Sequence, residues 1–125
     1  MAYRFPAVGL LDGLYILDNV ISPAALTGNV NNWAPTGIGD ANVLFTDDDG
    51  SNYNITGLLA PSPAVRQVLR IIHNGSGTPT LMDSNVLSTA ANRFQFAGNL
   101  SIQTDIGVTL MYDPSISRWR HLNRG

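Results

Sequence analysis

General acid–base and nucleophilic chemistry requires titratable or nucleophilic side chains within hydrogen-bond reach of one another. The supply in this chain is narrow: nine Asp and two His, with no Glu, no Lys and no Cys. His73 ends an apolar stretch, residues 65–73, and reads as a half-buried, hydrogen-bonded strand residue rather than a catalyst. His121 follows Arg120 near the C-terminus and reads as a solvated surface group. Gly75-Ser76-Gly77 is the one Gly-Ser-Gly, and it lacks the strand-to-helix context that a nucleophile elbow requires. Without Cys there is no thiolate chemistry and no disulfide framework. No catalytic residue is assigned, and the expectation is a protein that is not an enzyme.

Metal and ligand signals are similarly sparse. Asp47-Asp48-Asp49-Gly50 resembles the start of a calcium loop, but no Glu exists to act as the distal bidentate ligand, so an acidic turn is expected. No metal and no cofactor are therefore assigned. Asn54-Ile55-Thr56, Asn74-Gly75-Ser76 and Asn99-Leu100-Ser101 fit the glycosylation pattern, at about the frequency that so much Asn, Ser and Thr produces by chance. In Arg118-Trp119-Arg120 a strand would send Trp119 to one face and both arginines to the other. Such a group can stack on a base or sugar, yet Trp119 as a core anchor is the simpler expectation.

The elements that would position these residues follow from composition. A chain of 125 residues suits one domain with an arm or tail, and 44% hydrophobic with only 13% charged residues excludes intrinsic disorder. No apolar run approaches the length of a transmembrane helix. The stretch 7–11 is too short for a secretory h-region, so no signal peptide is expected. A net charge of −2 gives no broad positive field, which argues against nucleic acid or membrane as a partner. Lys and Glu, both good helix formers, are absent, while twelve Asn, twelve Gly, nine Thr, nine Ser and seven Pro supply turns and strands. The expected fold class is all-β.

Short strands are predicted over residues 41–46, 51–58, 65–73, 78–82, 93–96, 100–104, 108–112 and 118–122, with turn residues between them at even spacing. The Asp-Gly step at Asp49-Gly50 predicts a hairpin joining the first two. Residues 86–92 suit one helical turn. Residues 1–27 are apolar without a clean period and are broken by Pro6, Gly9, Gly13 and Pro23. They suit either a first pair of strands or an extended arm that buries against another molecule; the arm is the expectation carried forward, with residues 28–125 as the domain. Phe5, Val8, Leu10, Leu11, Leu14, Ile16 and Leu17 are the arm side chains expected to bury against a partner.

Several pieces taken together carry a resemblance. Asn29-Val30-Asn31-Asn32-Trp33-Ala34-Pro35, Val43-Leu44-Phe45-Thr46, Asn54-Ile55-Thr56-Gly57-Leu58 and Leu69-Arg70-Ile71-Ile72-His73-Asn74-Gly75 occur in this order. Thr80-Leu81-Met82-Asp83, Ser88-Thr89-Ala90-Ala91-Asn92-Arg93-Phe94, Leu110-Met111-Tyr112-Asp113 and Ser117-Arg118-Trp119-Arg120 continue it. The whole is similar to a β-sandwich module of tailed-phage virion proteins, found on tail fibres and on proteins that decorate phage heads. Ala60-Pro61-Ser62-Pro63 departs from that pattern, where relatives usually carry a Gly-rich turn. The resemblance implies an antiparallel, jelly-roll-like β-sandwich with an extended N-terminal arm, a homotrimer, and no catalytic residues. The expected function is that of a structural virion protein, a capsid decoration (cement) protein that trimerises on the outer head surface and contacts the major capsid protein through its arm. The alternative is a short tail or head fibre, or receptor-binding module, of the same fold. A free carbohydrate-binding or hydrolytic domain lacks the paired carboxylates of a hydrolase.

Overall fold

The computed structural model describes residues 19–124. Turn-rich sequence leaves the strands short: Val20–Ile21 (β1), Val43–Thr46 (β2), Asn54–Ile55 (β3), Val68–His73 (β4), Thr80–Leu81 (β5), Phe94–Gln95 (β6), Leu100–Ser101 (β7), Gly107–Asp113 (β8) and Arg118–Arg124 (β9). Helical structure among the described residues is limited to 3-10 turns at Ile38–Asp40 and Ala90–Asn92. The fold is thus all-β. Of the segment read as an arm, residues 1–18, and with them Phe5, Val8, Leu10, Leu11, Leu14, Ile16 and Leu17, lie outside the described residues. Residues 19–27 run along the domain as β1 and the buried Leu26.

The strands form a six-stranded sheet of order β1-β2-β4-β8-β9-β6 and a three-stranded sheet of order β3-β5-β7. Both are mixed, which corrects the antiparallel arrangement expected from the sequence. β1 with β2, β2 with β4, β3 with β5 and β6 with β9 are parallel pairs, while β4-β8, β8-β9 and β5-β7 are antiparallel. The predicted hairpin over 41–58 does not form. After β2 the chain crosses to the second sheet, where Asn54 and Ile55 pair with Thr80 and Leu81, then returns as β4 beside β2. Parallel neighbours require such a crossover and cannot be joined by a two-residue turn. The Asp49-Gly50 turn exists, with Gly50 at φ 99°, but it opens a crossover rather than a hairpin. A hairpin does join β8 to β9, where Asp113 Oδ1 accepts from the Ser115 N–H and hydroxyl at 3.0 and 2.6 Å.

Alternation along the strands sorts the side chains of the large sheet. Leu44, Leu69, Ile71, Leu110, Tyr112 and Trp119 are buried and join Ile55, Leu81 and Leu100 of the small sheet in one core. Tyr112 and Trp119 meet edge to face at 5.2 Å, and Phe94, paired with Trp119 across β6 and β9, stacks on Phe96. The opposite face of the sheet carries Val43, Phe45, Val68, Ile72 and Met111, and Val68 is 49% exposed. Leu110 lies at the centre of the buried face with no exposure. Truncation of Leu110 to Ala is expected to cost about 2–5 kcal/mol in chemical denaturation, whereas Val86→Ala, at a position 78% exposed, changes stability by less than about 0.5 kcal/mol.

Candidate functional site

Two buried polar clusters gather most of the side chains that have chemical potential. The first forms where β2 and β4 end side by side, with Thr46 paired to His73 in the register. Thr46 Oγ1 lies 2.7 Å from His73 Nδ1, and His73 Nε2 lies 2.7 Å from Asp48 Oδ2. Asp48 as a carboxylate only accepts, so Nε2–H of the imidazole donates to it; in the neutral ring Nδ1 then accepts the Thr46 hydroxyl. Hydroxyl, imidazole and carboxylate thus stand in the order of a catalytic relay. Yet Thr46 and His73 have no exposed surface and the Asp48 side chain has 2%, so no substrate reaches the hydroxyl. What the trio does is brace the fold.

The brace extends into the neighbouring loops. Asp48 Oδ1 accepts the Gly50 N–H at 2.8 Å and the Gly77 N–H at 3.1 Å. Gly75 and Gly77 are buried against it: a Cβ at Gly75 would lie 2.7 Å from the Asp48 carboxylate, and one at Gly77 would meet the Ser51 carbonyl. Gly75-Ser76-Gly77 is therefore a close-approach loop. Burial pushes the Asp48 carboxyl up, but the Gly50 and Gly77 amides and the His73 ring outweigh it and hold it below the usual carboxylate range. Asp47 and Asp49 turn outward and cap local backbone: Asp47 Oδ1 accepts the Asp48 N–H, and Asp49 accepts the Ser51 N–H and the Tyr53 hydroxyl. Among the described residues no three His, Cys, Asp or Glu side chains gather to hold a metal ion.

The second cluster joins residues distant in sequence. The Asn32 N–H donates to Ser88 Oγ at 2.8 Å, and Ser88 Oγ lies 2.7 Å from Thr56 Oγ1. The Thr56 hydroxyl in turn donates to Asn31 Oδ1 at 2.6 Å. Since each hydroxyl has one proton, Ser88 donates to Thr56 and the bonds run in one direction. Asn32, held at φ 48°, uses Oδ1 to accept from the Thr89 N–H, the Thr89 hydroxyl and Asn92 Nδ2 at 2.8–3.0 Å. Asn92 Oδ1 accepts the Ala60 N–H at 2.8 Å, and Trp119 Nε1 donates to the Leu58 carbonyl at 2.9 Å. Asn92 thus bonds across the fold. A Cβ at Gly57 would strike Ser88, so the Thr56-Gly57 step lets the two segments touch. It closes no hairpin.

His121 is partly buried rather than solvated, with its ring 5.9 Å edge-on from Phe96 and its Nε2 shielded without a hydrogen-bond partner among the described residues. It lines a cleft of about 140 Å3 with Phe96, Asn99 and Leu100. A broader, open groove of about 450 Å3 lies between Pro23, Ala24, Trp33 and Pro35. Trp119 is the core anchor that the alternation of Arg118-Trp119-Arg120 suggested. Ser88 and Asn31 were not singled out individually; only their membership in the motif pieces marked them.

Because the folded-state pKa of Asp48 lies below its unfolded value, its contribution to stability is complete above the unfolded carboxylate range and is lost as pH falls through the folded value. Urea denaturation is expected to show stability falling below about pH 4, and Asp48→Asn is expected to lower stability at pH 7 while flattening that acid limb. Ser88→Ala, which strands the Asn32 N–H and removes the hydroxyl that donates to Thr56 Oγ1, is expected to cost about 1–3 kcal/mol at any pH between 5 and 8. Comparison of the chain with family models, curated proteins and solved structures gives no match.

Proposed function

We propose that the chain is a structural virion module of a tailed phage, a capsid decoration protein that acts by assembly rather than by catalysis. One observation carries this proposal. The separate pieces on which the resemblance rests, Asn31-Asn32, Thr56-Gly57-Leu58, Ser88 to Asn92 and Trp119, meet in a single network. Side chains scattered over some ninety residues of sequence therefore serve one structural purpose, as expected of residues that define a module. The hydroxyls and the imidazole with chemical potential are spent inside the fold in the same way.

In this proposal the two sheets, which share one core, form the layers of a sandwich. Homotrimers of the module sit on the outer head surface. The arm, residues 1–27, seats on the major capsid protein through Phe5, Val8, Leu10, Leu11, Leu14, Ile16 and Leu17, since so many apolar side chains gain by burial against a second surface. Multiple arms per particle raise the avidity of attachment without further contacts.

Purified full-length protein mixed with undecorated heads is expected to co-sediment with them, and the triple substitution Leu10→Ser, Leu11→Ser, Leu14→Ser is expected to abolish co-sedimentation while leaving the far-ultraviolet spectrum unchanged. Equal binding by the substituted chain would sink the arm assignment. If the full chain ignores heads and binds host cells, the fibre function replaces decoration.

A further inference from the structure

The open groove beside Trp33 is built from two stretches that the fold holds in place. Trp33 follows Asn32 of the buried network; its N–H donates to the Gly57 carbonyl at 2.9 Å, and its carbonyl accepts the Leu59 N–H at 2.8 Å. Pro35 is buried, and its carbonyl accepts the Ile38 N–H at 3.0 Å. The other stretch, Ser22 and Pro23, continues directly from β1, which is laddered to β2. Gly37 lets the two approach: it sits at φ 89°, and a Cβ there would stand 3.1 Å from Ile21 Cγ2. A proline fixes φ in each stretch, so the groove is preformed.

The groove also has a defined chemistry. Trp33 packs partly against the core and lines the groove with the rest of its side chain. Trp119 Nε1 is spent on the Leu58 carbonyl, whereas Trp33 Nε1 has no hydrogen-bond partner among the described residues, and neither have the hydroxyls of the exposed Ser22 and Thr36. An aromatic surface, two proline rings and three uncharged hydrogen-bonding groups thus face one space, and no charged side chain lines it. Its volume of about 450 Å3 falls within the range of small-ligand sites, about 300–1,000 Å3. A charged ligand would lose hydration there with no opposite charge in return. A wholly apolar one would strip water from the three polar groups. A pyranose ring meets both demands, since it sets C–H bonds of one face against the indole and carries hydroxyls at its edge that donate and accept.

We propose that the Trp33 groove binds a neutral pyranose unit of a glycan. The ring lies on Trp33 between Pro23 and Pro35, with its hydroxyls bonded to Trp33 Nε1–H, Ser22 and Thr36. Because the groove is open, the neighbouring sugar units leave it toward solvent. One stacked ring and a few hydrogen bonds give a dissociation constant in the millimolar range, and many copies on one particle raise the avidity. This site goes beyond the decoration function and uses no side chain assigned to capsid contact.

Fluorescence of the full chain isolates the site, because the chain has two tryptophans and Trp119 has no exposed surface. Acrylamide is expected to quench the Trp33 emission alone, and at least one of the neutral trisaccharides maltotriose, mannotriose and triacetylchitotriose is expected to protect it at millimolar concentration. Protection by none of them at tens of millimolar overturns the proposal. Ala34→Arg, at an exposed residue of the groove, is expected to weaken binding of the protecting sugar about tenfold in saturation-transfer NMR, with the far-ultraviolet spectrum unchanged. Should that variant not fold, Thr36→Val removes one hydroxyl at an exposed position and is expected to weaken binding about fivefold. Equal affinity in a folded variant overturns the site. Protection by an oligoproline peptide and by none of the sugars assigns the groove to an extended peptide and overturns the glycan proposal. A Trp33 emission that acrylamide does not reach in the free protein shows the groove to be covered and overturns it as well.

Discussion

Backbone in irregular conformation must find hydrogen-bond partners when it is buried, and the rest of this structure depends on how that demand is met. Strands of two residues at β1, β3, β5, β6 and β7 leave long stretches without a ladder. Asparagine side chains take over. Asn29, Asn42, Asn52, Asn92 and Asn99 each accept an N–H from a segment at least sixteen residues away, and Asn32 accepts from three donors at once. The amide oxygen of a short side chain behaves as a carbonyl that the chain can place where its own backbone does not reach. The abundance of Asn is thus a structural device as much as a marker of turns.

Other side chains do the same at greater depth: Asp48, held by His73 and Thr46, accepts the Gly50 and Gly77 N–H groups, and Ser88, linked to Thr56, accepts the Asn32 N–H. Each cluster holds groups that serve catalysis in other settings, and each is closed to solvent by the loops it fixes. Accessibility, more than the identity or order of the groups, separates a relay from a brace. Gly57, Gly75 and Gly77 follow from the same requirement, since the networks exist only if the backbones approach closely enough to leave no room for a Cβ.

A fold that turns its polar chemistry inward leaves its surfaces to carry function. The side of the large sheet away from the core carries Val43, Phe45, Val68, Ile72 and Met111, and at one end of the sheet Arg66 and Arg120 flank Asp113. Shape and charge of that kind serve association. A protein that coats or extends a particle needs contacts of this sort repeated many times, each modest, and a rigid module to present them. The proposed decoration function draws on this property.

Local pattern was enough to determine the element type. The lack of Lys and Glu, with Asn, Gly and Pro spaced between β-branched runs, specified an all-β chain, and alternation in Arg118-Trp119-Arg120 turned Trp119 toward the core. The Asp113-Pro114-Ser115 turn was legible for the same reason, because turn chemistry acts within a few residues. Partner choice was not legible. Nothing near Asp49-Gly50 says that β2 pairs in parallel with β4, since that decision depends on where Ile55 and Leu81 find their core. Nor does sequence spacing announce that Asp48 turns inward to His73 while Asp47 and Asp49 face out, or that Asn92 reaches Asn32 and Ala60. These contacts join residues twenty-five to sixty positions apart, and only the tertiary arrangement of the two sheets brings them within hydrogen-bond distance.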